Sequence, residues 1–282
     1  MSIAALTLRR DHSPLPGFGV ALGITITALS LIVLIPLATL MLRAAGVGLT
    51  EFWPIATTER VLAALQLSFS AAFVAALVDA VCGLLLAWVL VRYRFPGRGI
   101  VNGMLDLPVA LPTAVAGISL TAIYAPNGLI GGLFEPLGIK IAYTPLGIVL
   151  ALVFIGLPFV VRTVQPVIEE FEKEAEEAAA LLGASRLRTV FRVVLPAVMP
   201  ALLTGFALAF ARCVGEYGSV IFIAGNLPGV SEIAPLLIVI RLEEFDYSGA
   251  TVIATIMLLA AFAFLLAINL LQAKSRARLG YA

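Results

Sequence analysis

Charge is scarce in this chain of 282 residues, of which 12% are charged and 61% are hydrophobic. Soluble domains carry about 25% charged and about 45–50% apolar residues, so the composition excludes a single water-soluble core. It also excludes an intrinsically disordered chain. The net charge of +1 gives no electrostatic case for nucleic-acid binding. We therefore expect an all-α, polytopic membrane protein.

Histidine and cysteine are almost missing. His12 is the single histidine and has no metal-ligand companions beside it. Cys82 and Cys213 lie in apolar stretches, where cysteine acts as a small hydrophobic residue, with pairing between them as the alternative. The sequence contains no H-E-x-x-H, no G-x-S-x-G and no phosphate-binding G-x-x-x-x-G-K-[ST]. It thus predicts no metal, no cofactor and no catalytic residue in this chain.

Six apolar runs are long enough to cross a bilayer, which takes roughly 20 residues. They cover residues 18–42, 62–91, 100–124, 144–161, 197–224 and 249–272. We predict a membrane domain over 18–272, with a cytoplasmic N-terminal segment at 1–17 and a cytoplasmic tail at 273–282. Of the 18 Lys and Arg residues, 13 then lie in cytoplasmic segments and 4 in outer ones, as the positive-inside rule requires.

One polar segment interrupts the apolar chain. Residues 162–196 hold 11 of the 35 charged residues and form the predicted cytoplasmic loop between the fourth and fifth spans. We expect a helix over Ile168–Leu182, a stop at Gly183, and a second helix capped by Ser185 that runs toward Val194. The apolar residues on this element would pack on the protein's own surface, lie at the membrane interface, or dock into a partner.

The same segment carries a specific pattern. Glu-Ala-Ala, three residues, Gly, nine residues and Val-x-Leu-Pro resembles the EAA signature of ABC importer permeases, with Val in place of Ile. The resemblance implies that the segment is a coupling loop that docks on a separate ATPase subunit. The loop residues concerned are Glu177, Ala178, Ala179, Leu182, Gly183, Leu195 and Pro196.

Four further stretches are similar to the T-type sulfate/thiosulfate permeases. They are residues 111–117, 156–166, 215–226 and 232–238. Molybdate permeases share part of the first and third stretches, so a molybdate or tungstate importer is the alternative. An ion-coupled secondary transporter is a more distant one, because the spans show no inverted repeat.

The resemblance also implies a fold and an assembly. The fold would be the MetI-like fold of type I ABC importer permeases, in a bacterial inner membrane. The chain would pair with a homologous W-type permease, two ABC ATPase subunits that bind ATP and Mg, and a periplasmic sulfate-binding protein. Together they would import sulfate or thiosulfate.

Three charged residues fall at membrane depth. Arg212 and Glu216 are expected to share a helix face in the fifth span, either as a self-neutralising pair or as part of the pathway or gate. Asp79, in the second span, should face protein and could meet Arg212. Thr113 and Ser219 are further pathway candidates, with interhelical hydrogen bonding as the alternative for Thr113.

The third span contains signs of a bend. Pro108 and Pro112 should break its regular helix, and Gly117 allows another segment to pack closely beside the bend. Asp106, near the start of this span, is expected to form a structural ion pair with nearby Arg94 or Arg98.

Overall fold

A computed structural model describes residues 18–278, except for the side chains of Lys173, Leu271 and residues 273–278. The predicted segment 1–17, His12 and the end of the predicted tail lie outside the described residues. By internal contacts, the chain divides into two compact units at Leu49.

The described residues form helices and loops and no strand. In chain order the α-helices are α1 (Phe18–Leu29), α2 (Ile35–Val47), α3 (Leu49–Ala56), α4 (Glu59–Arg92), α5 (Arg98–Met104), α6 (Leu107–Ala110), α7 (Thr113–Tyr124), α8 (Gly131–Phe134), α9 (Pro145–Glu170), α10 (Lys173–Leu181), α11 (Arg186–Thr189), α12 (Leu195–Val214), α13 (Val220–Ile223), α14 (Ala234–Glu243) and α15 (Tyr247–Arg278). The segments Ser30–Leu34 and Val190–Val194 are π-helical.

The described part of the first unit is dominated by one long apolar helix. Helices α1 and α2 join through the π-helical segment into a continuous helix, Phe18–Val47. Its length and apolar composition suit a membrane crossing, because a helix satisfies every backbone hydrogen bond within itself. This helix extends the predicted first span, 18–42, and ends at Gly48, whose φ is 77°.

Three predicted spans of the second unit coincide with long apolar helices, and a fourth does so in part. The helices are Glu59–Arg92, Pro145–Glu170, Arg186–Val214 and Tyr247–Leu270. Together with Phe18–Val47, they make five helices among the described residues that are long and apolar enough to cross a membrane. The protein is therefore a multi-pass helical membrane protein.

The predicted third span is broken rather than continuous. Its two halves, Arg98–Ala110 and Thr113–Tyr124, meet at an angle of 114°. The predicted bend is thus confirmed, and its position follows from Pro112. Proline forces the preceding residue out of helical geometry, and Leu111 is extended with ψ of 141°. If this pair counts as one crossing, the described helices give the predicted six spans.

The centre of the second unit is a three-helix core. Helix α9 packs along both α4 and α12, which also pack on each other. Val160 of α9 fits between two glycines: a Cβ at Gly83 would lie 2.7 Å from Val160 Cγ1, and one at Gly205 would lie 3.0 Å from Val160 Cα. Small residues let membrane helices approach closely, and this contact fixes the three helices against one another.

Candidate coupling loop and translocation site

The predicted loop 162–196 is more helical than expected. Helix α9 continues to Glu170, so the loop begins inside a helix, and the predicted helix Ile168–Leu182 is interrupted at Phe171 and Glu172. Both residues are extended, with ψ of 114° and 130°. The break places Glu174 and Glu176 in the first turn of α10, where the helix dipole favours acidic residues, and leaves Glu169 and Glu170 at the less favourable end of α9.

The turn at Gly183 follows the prediction. Gly183 has φ of 80°, and its N–H donates to Ala180 O at 2.9 Å, while the Ala184 N–H donates to Ala179 O at 3.0 Å. These two bonds define a Schellman motif, in which the residue after the helix adopts a left-handed conformation. Glycine adopts this conformation without a Cβ penalty, so Gly183 ends α10 and reverses the chain.

Ser185 caps the second helix, as predicted. Its Oγ accepts the Arg188 N–H at 3.4 Å. The helix does not stop near Val194, however, but continues as Arg186–Val214 through the π-helical segment. Leu195 N donates to Val190 O there, just before Pro196. Because proline lacks an N–H and its ring clashes with the preceding turn, the helix widens at this point.

The residues around the turn are exposed. Leu181 and Leu182 are 89% and 90% exposed, and Glu177 and Ala178 are also exposed. Leu195 and Pro196 are half-buried at the start of α12. The loop thus presents large apolar side chains next to a glutamate on a short, rigidly ended helix, which is chemistry suited to helix-in-groove docking.

Arg212 and Glu216 form the expected ion pair, but they do not lie on one helix as predicted. Helix α12 ends at Val214 instead of continuing to residue 224, so Glu216 lies in the following loop. Arg212 Nη1 still contacts Glu216 Oε2. Glu216 Oε1 accepts both the backbone N–H and the hydroxyl of Ser219, each at 3.0 Å. These side-chain bonds to the backbone hold the chain in a loop where a helix was expected.

Helix α7 closes over this loop. A Cβ at Gly117 would collide with the backbone of Ser219, and one at Gly218 would collide with Thr113 Oγ1. The close approach predicted for Gly117 is therefore confirmed. Three of the five predicted pathway residues, Arg212, Glu216 and Ser219, are bonded to one another, and a fourth, Thr113, lies beside Gly218 of the same loop.

Asp79 lies in the protein interior and does not pair with the cation that it could have met. Its side chain is fully buried, and neither carboxylate oxygen has a hydrogen-bond partner among the described residues. It lies against Gly156, whose added Cβ would collide with Asp79 Oδ2 and lie 3.2 Å from Cys213 Sγ. Asp79 faces protein, as predicted, but the salt bridges among the described residues join Arg212 to Glu216 and not to Asp79.

Asp106 also has a partner other than the expected one. It pairs with Arg162 of α9, which donates to its two oxygens at 2.9 and 2.6 Å, rather than with Arg94 or Arg98. Arg162 also donates to Asn102 Oδ1 at 2.9 Å. The two cysteines are both unpaired, with Cys82 exposed and Cys213 buried.

Three long-range ion pairs escaped prediction. They are Arg60–Glu232, Arg92–Glu176 and Asp106–Arg162. Their partners are 172, 84 and 56 residues apart, so no local spacing in the sequence could have joined them. Arg60 and Arg92 stand at the two ends of one long apolar run, and this position could have indicated that each of them pairs with a carboxylate.

Known proteins resemble this chain both in sequence and in the arrangement of helices. Residues 79–281 match the family model described as "Binding-protein-dependent transport system inner membrane component". The chain belongs to this family. A membrane component of such a system works with a binding protein and resides in the inner membrane, which agrees with the multi-pass architecture.

Individual relatives of this inner membrane component are also close in sequence. The "Sulfate transport system permease protein CysT" of Synechocystis is 53% identical over 249 residues, covering 88% of this chain and 87% of the relative. The proteins of that name from Salmonella typhimurium and Escherichia coli are 47% and 46% identical, each covering 92% of this chain and 94% of the relative.

Solved structures show the same fold. The chain is similar to a bacterial ABC transporter involved in alginate import, with a TM-score of 0.75 and 15% identity over 91% of this chain and 94% of the other. A second structure, of the bacterial alginate ABC transporter in complex with alginate pentasaccharide-bound periplasmic protein, gives a TM-score of 0.73 and 16% identity over 89% of this chain and 92% of the other. The fold is therefore the MetI-like fold of ABC importer permeases.

Proposed function

We propose that this chain is the membrane permease subunit of an ATP-driven importer for sulfate and thiosulfate. One observation carries the substrate assignment: the chain is 53% identical, over 88% of its length, to a relative named a sulfate transport permease. The folded geometry of the EAA-like loop supports the coupling role, because a glycine turn presents its exposed leucines to a partner. Molybdate and tungstate are the competing oxyanions.

The assembly follows from this assignment. The chain pairs with a W-type permease, and two ABC ATPase subunits hold ATP and Mg and dock on the loop around Gly183. A periplasmic binding protein delivers the anion from the other side. The loop and both termini face the cytoplasm, because that placement puts most Lys and Arg residues inside.

The cluster around Arg212 serves the pathway as a gate rather than as a tight anion site. Glu216 neutralises Arg212, and its second oxygen is occupied by Ser219. A dianion gives up its hydration only where free donors or cations replace it. Substrate selection therefore rests with the binding protein, and the contact of α7 with residues 215–219 controls passage.

Reconstitution of the complete transporter tests these assignments. The complex is placed in proteoliposomes with ATP inside, and its ATPase activity is measured with a sulfate-loaded or a molybdate-loaded binding protein. We expect stimulation and uptake with sulfate. Stimulation by molybdate alone would overturn the substrate assignment.

The coupling role is tested by Gly183→Pro, because proline cannot adopt the positive φ of the turn. We expect this variant to lose ATP-driven uptake while the complex still assembles. The matched control is Gly103→Ala, at a site where an added Cβ meets no atom within 4 Å. Undiminished uptake by Gly183→Pro would overturn the coupling assignment.

A further inference from the structure

The last residue of α4 reaches the coupling loop. Arg92 Nη2 lies 2.6 Å from Glu176 Oε1, which belongs to α10. The two side chains are 12% and 30% exposed, so water screens this pair less than it screens a surface ion pair. Helix α4 is thus joined by one charge-assisted hydrogen bond to α10, the first helix of the loop.

The same end of α4 also lies beside a cavity that it shares with the second helix of the loop. The Arg92 guanidinium lies 5.4 Å from the centre of the Trp88 ring, within the range of a cation–π interaction. Trp88 lines an apolar cavity of about 190 Å³ together with Val190 and Val194 of the π-helical segment. The end of α4 that pairs with α10 thus also borders the start of the fifth span.

Helix α10 packs on α11 and on the π-helical segment Val190–Val194. The extended residues Phe171 and Glu172 separate it from α9, and Gly183 separates it from α11. Across the described side chains, Arg92–Glu176 is the ion pair that joins α10 to another helix. This pair therefore ties α10 to α4, whereas the packing contacts of α10 are with α11 and the π-helical segment that follow it in the chain.

Helix α4 is suited to transmit a displacement of the loop to the helices of the membrane core. Its 34 residues make a rod about 50 Å long at 1.5 Å per residue. It packs along α9 and α12, the two helices that flank the loop in sequence. A rigid helix fixed to the loop at one end converts a local shift into movement of the packed core.

We propose that Arg92 is a positioning residue for coupling: its bond to Glu176 holds α10 to α4, so that displacement of the loop by the ATPase subunit moves the membrane core. This inference rests on the proposed coupling function of the loop. It predicts that removing the bond separates ATP hydrolysis from transport, while the loop itself still docks.

The test uses the complete transporter in proteoliposomes, supplied with its binding protein and with whichever of sulfate and molybdate the wild-type complex imports. Uptake of the radiolabelled anion and ATP hydrolysis are measured together, which gives anions imported per ATP. For Arg92→Ala and for Glu176→Ala we expect this ratio to fall at least about fivefold, the scale of a typical coupling free energy. The charge swap Arg92→Glu with Glu176→Arg should recover most of the ratio.

Two matched controls separate coupling from general damage. Arg94→Ala removes an exposed cation two residues away, and Glu174→Ala removes an exposed carboxylate from the same helix; both should leave the ratio unchanged. If Arg92→Ala prevents assembly, Arg92→Lys and the charge swap provide the comparison. If the charge-swap variant assembles and recovers the ratio of anions imported per ATP, the proposal is supported. If it assembles and the ratio stays low, the proposal is overturned.

The outcomes also distinguish this inference from the proposed function. If Arg92→Ala imports as many anions per ATP as the wild type while Gly183→Pro does not, the role of Arg92 is overturned and the coupling role of the loop stands. Normal ratios in both variants would overturn the coupling loop itself. Lower protein yield with an unchanged ratio would mean that Arg92 contributes to stability alone, which also overturns the proposal.

Discussion

Arg60 and Glu232 are 172 residues apart in the chain and form an ion pair through two contacts, of 2.8 and 2.7 Å. The Glu232 side chain is 1% exposed. Close by, Ser68 Oγ accepts the Ala234 N–H at 2.8 Å. These bonds fix the segment before α14 to the first turns of α4, at the opposite end from Arg92.

Breaking this pair should loosen the start of α14. Glu232→Ala leaves the Arg60 guanidinium, which is 33% exposed, without its bidentate acceptor. We expect a loss of stability of about 2–4 kcal/mol, because a half-buried charge remains unpaired. The thermal unfolding midpoint of the detergent-solubilised complex measures this loss. Glu243→Ala is the matched control, since Glu243 is an exposed glutamate at the other end of α14, and equal midpoints for the two variants would contradict the expectation.

Gly117 is predicted to be intolerant of any side chain. In Gly117→Ala the new Cβ would lie 2.8 Å from Ser219 Cα, so α7 or residues 215–219 must move. Overpacking of this kind costs about 1–3 kcal/mol, and here it falls on the proposed gate. We expect transport to fall well below that of Gly103→Ala, an alanine substitution in the other half of the broken span. Full uptake by Gly117→Ala would argue against a tight contact at the gate.

Asp79 and Gly156 should behave as a coupled pair. Gly156→Ala alone brings a methyl group into collision with Asp79 Oδ2, so we expect a destabilisation of about 1–3 kcal/mol. Asp79→Ala removes both the collision and a buried carboxylate that has no hydrogen-bond partner among the described residues. The double variant should therefore be more stable than the two single effects predict when added. Additive effects in thermal unfolding would show that the two residues are independent.

Glu216 is predicted to matter more than Ser219. Glu216→Ala leaves Arg212 unpaired at membrane depth and frees the loop, for which we expect a loss of about 2–5 kcal/mol. Ser219→Ala removes one hydroxyl donor and keeps the backbone N–H bond, so the loss should be about 1 kcal/mol. Adding Arg212→Ala to Glu216→Ala should restore part of the stability, since no lone charge remains. A double variant less stable than Glu216→Ala would rule out this explanation.

Local sequence patterns predicted the loop well because its structure depends on nearby residues. The Gly183 turn needs a residue that adopts positive φ, and the Ser185 cap needs an oxygen close to the next backbone N–H; both requirements are met within a few residues. The bend at Pro112 is equally local. The break at Phe171 was missed because it depends on the balance of several glutamates at a helix end.

The end of the fifth span shows where local reasoning fails. Residues 215–224 are apolar enough to continue a helix, and the four-residue spacing of Arg212 and Glu216 fits one. The actual structure depends on Ser219 bonding to Glu216 and on α7 covering the loop at Gly117. The bond between Ser219 and Glu216 is local and competes with helical hydrogen bonds, whereas the contact of α7 forms only after distant segments have packed.

The sequence by itself determined that this protein crosses a membrane, which of its segments are apolar, and where the loop 162–196 turns, because composition and helix-end chemistry act over short distances. Only the tertiary structure decided the partners of the charges whose neighbours are distant in the chain. It placed Asp79 against Gly156, Asp106 on Arg162 and Arg92 on Glu176, since the energy of an ion pair depends on spatial separation and burial, which helix packing sets.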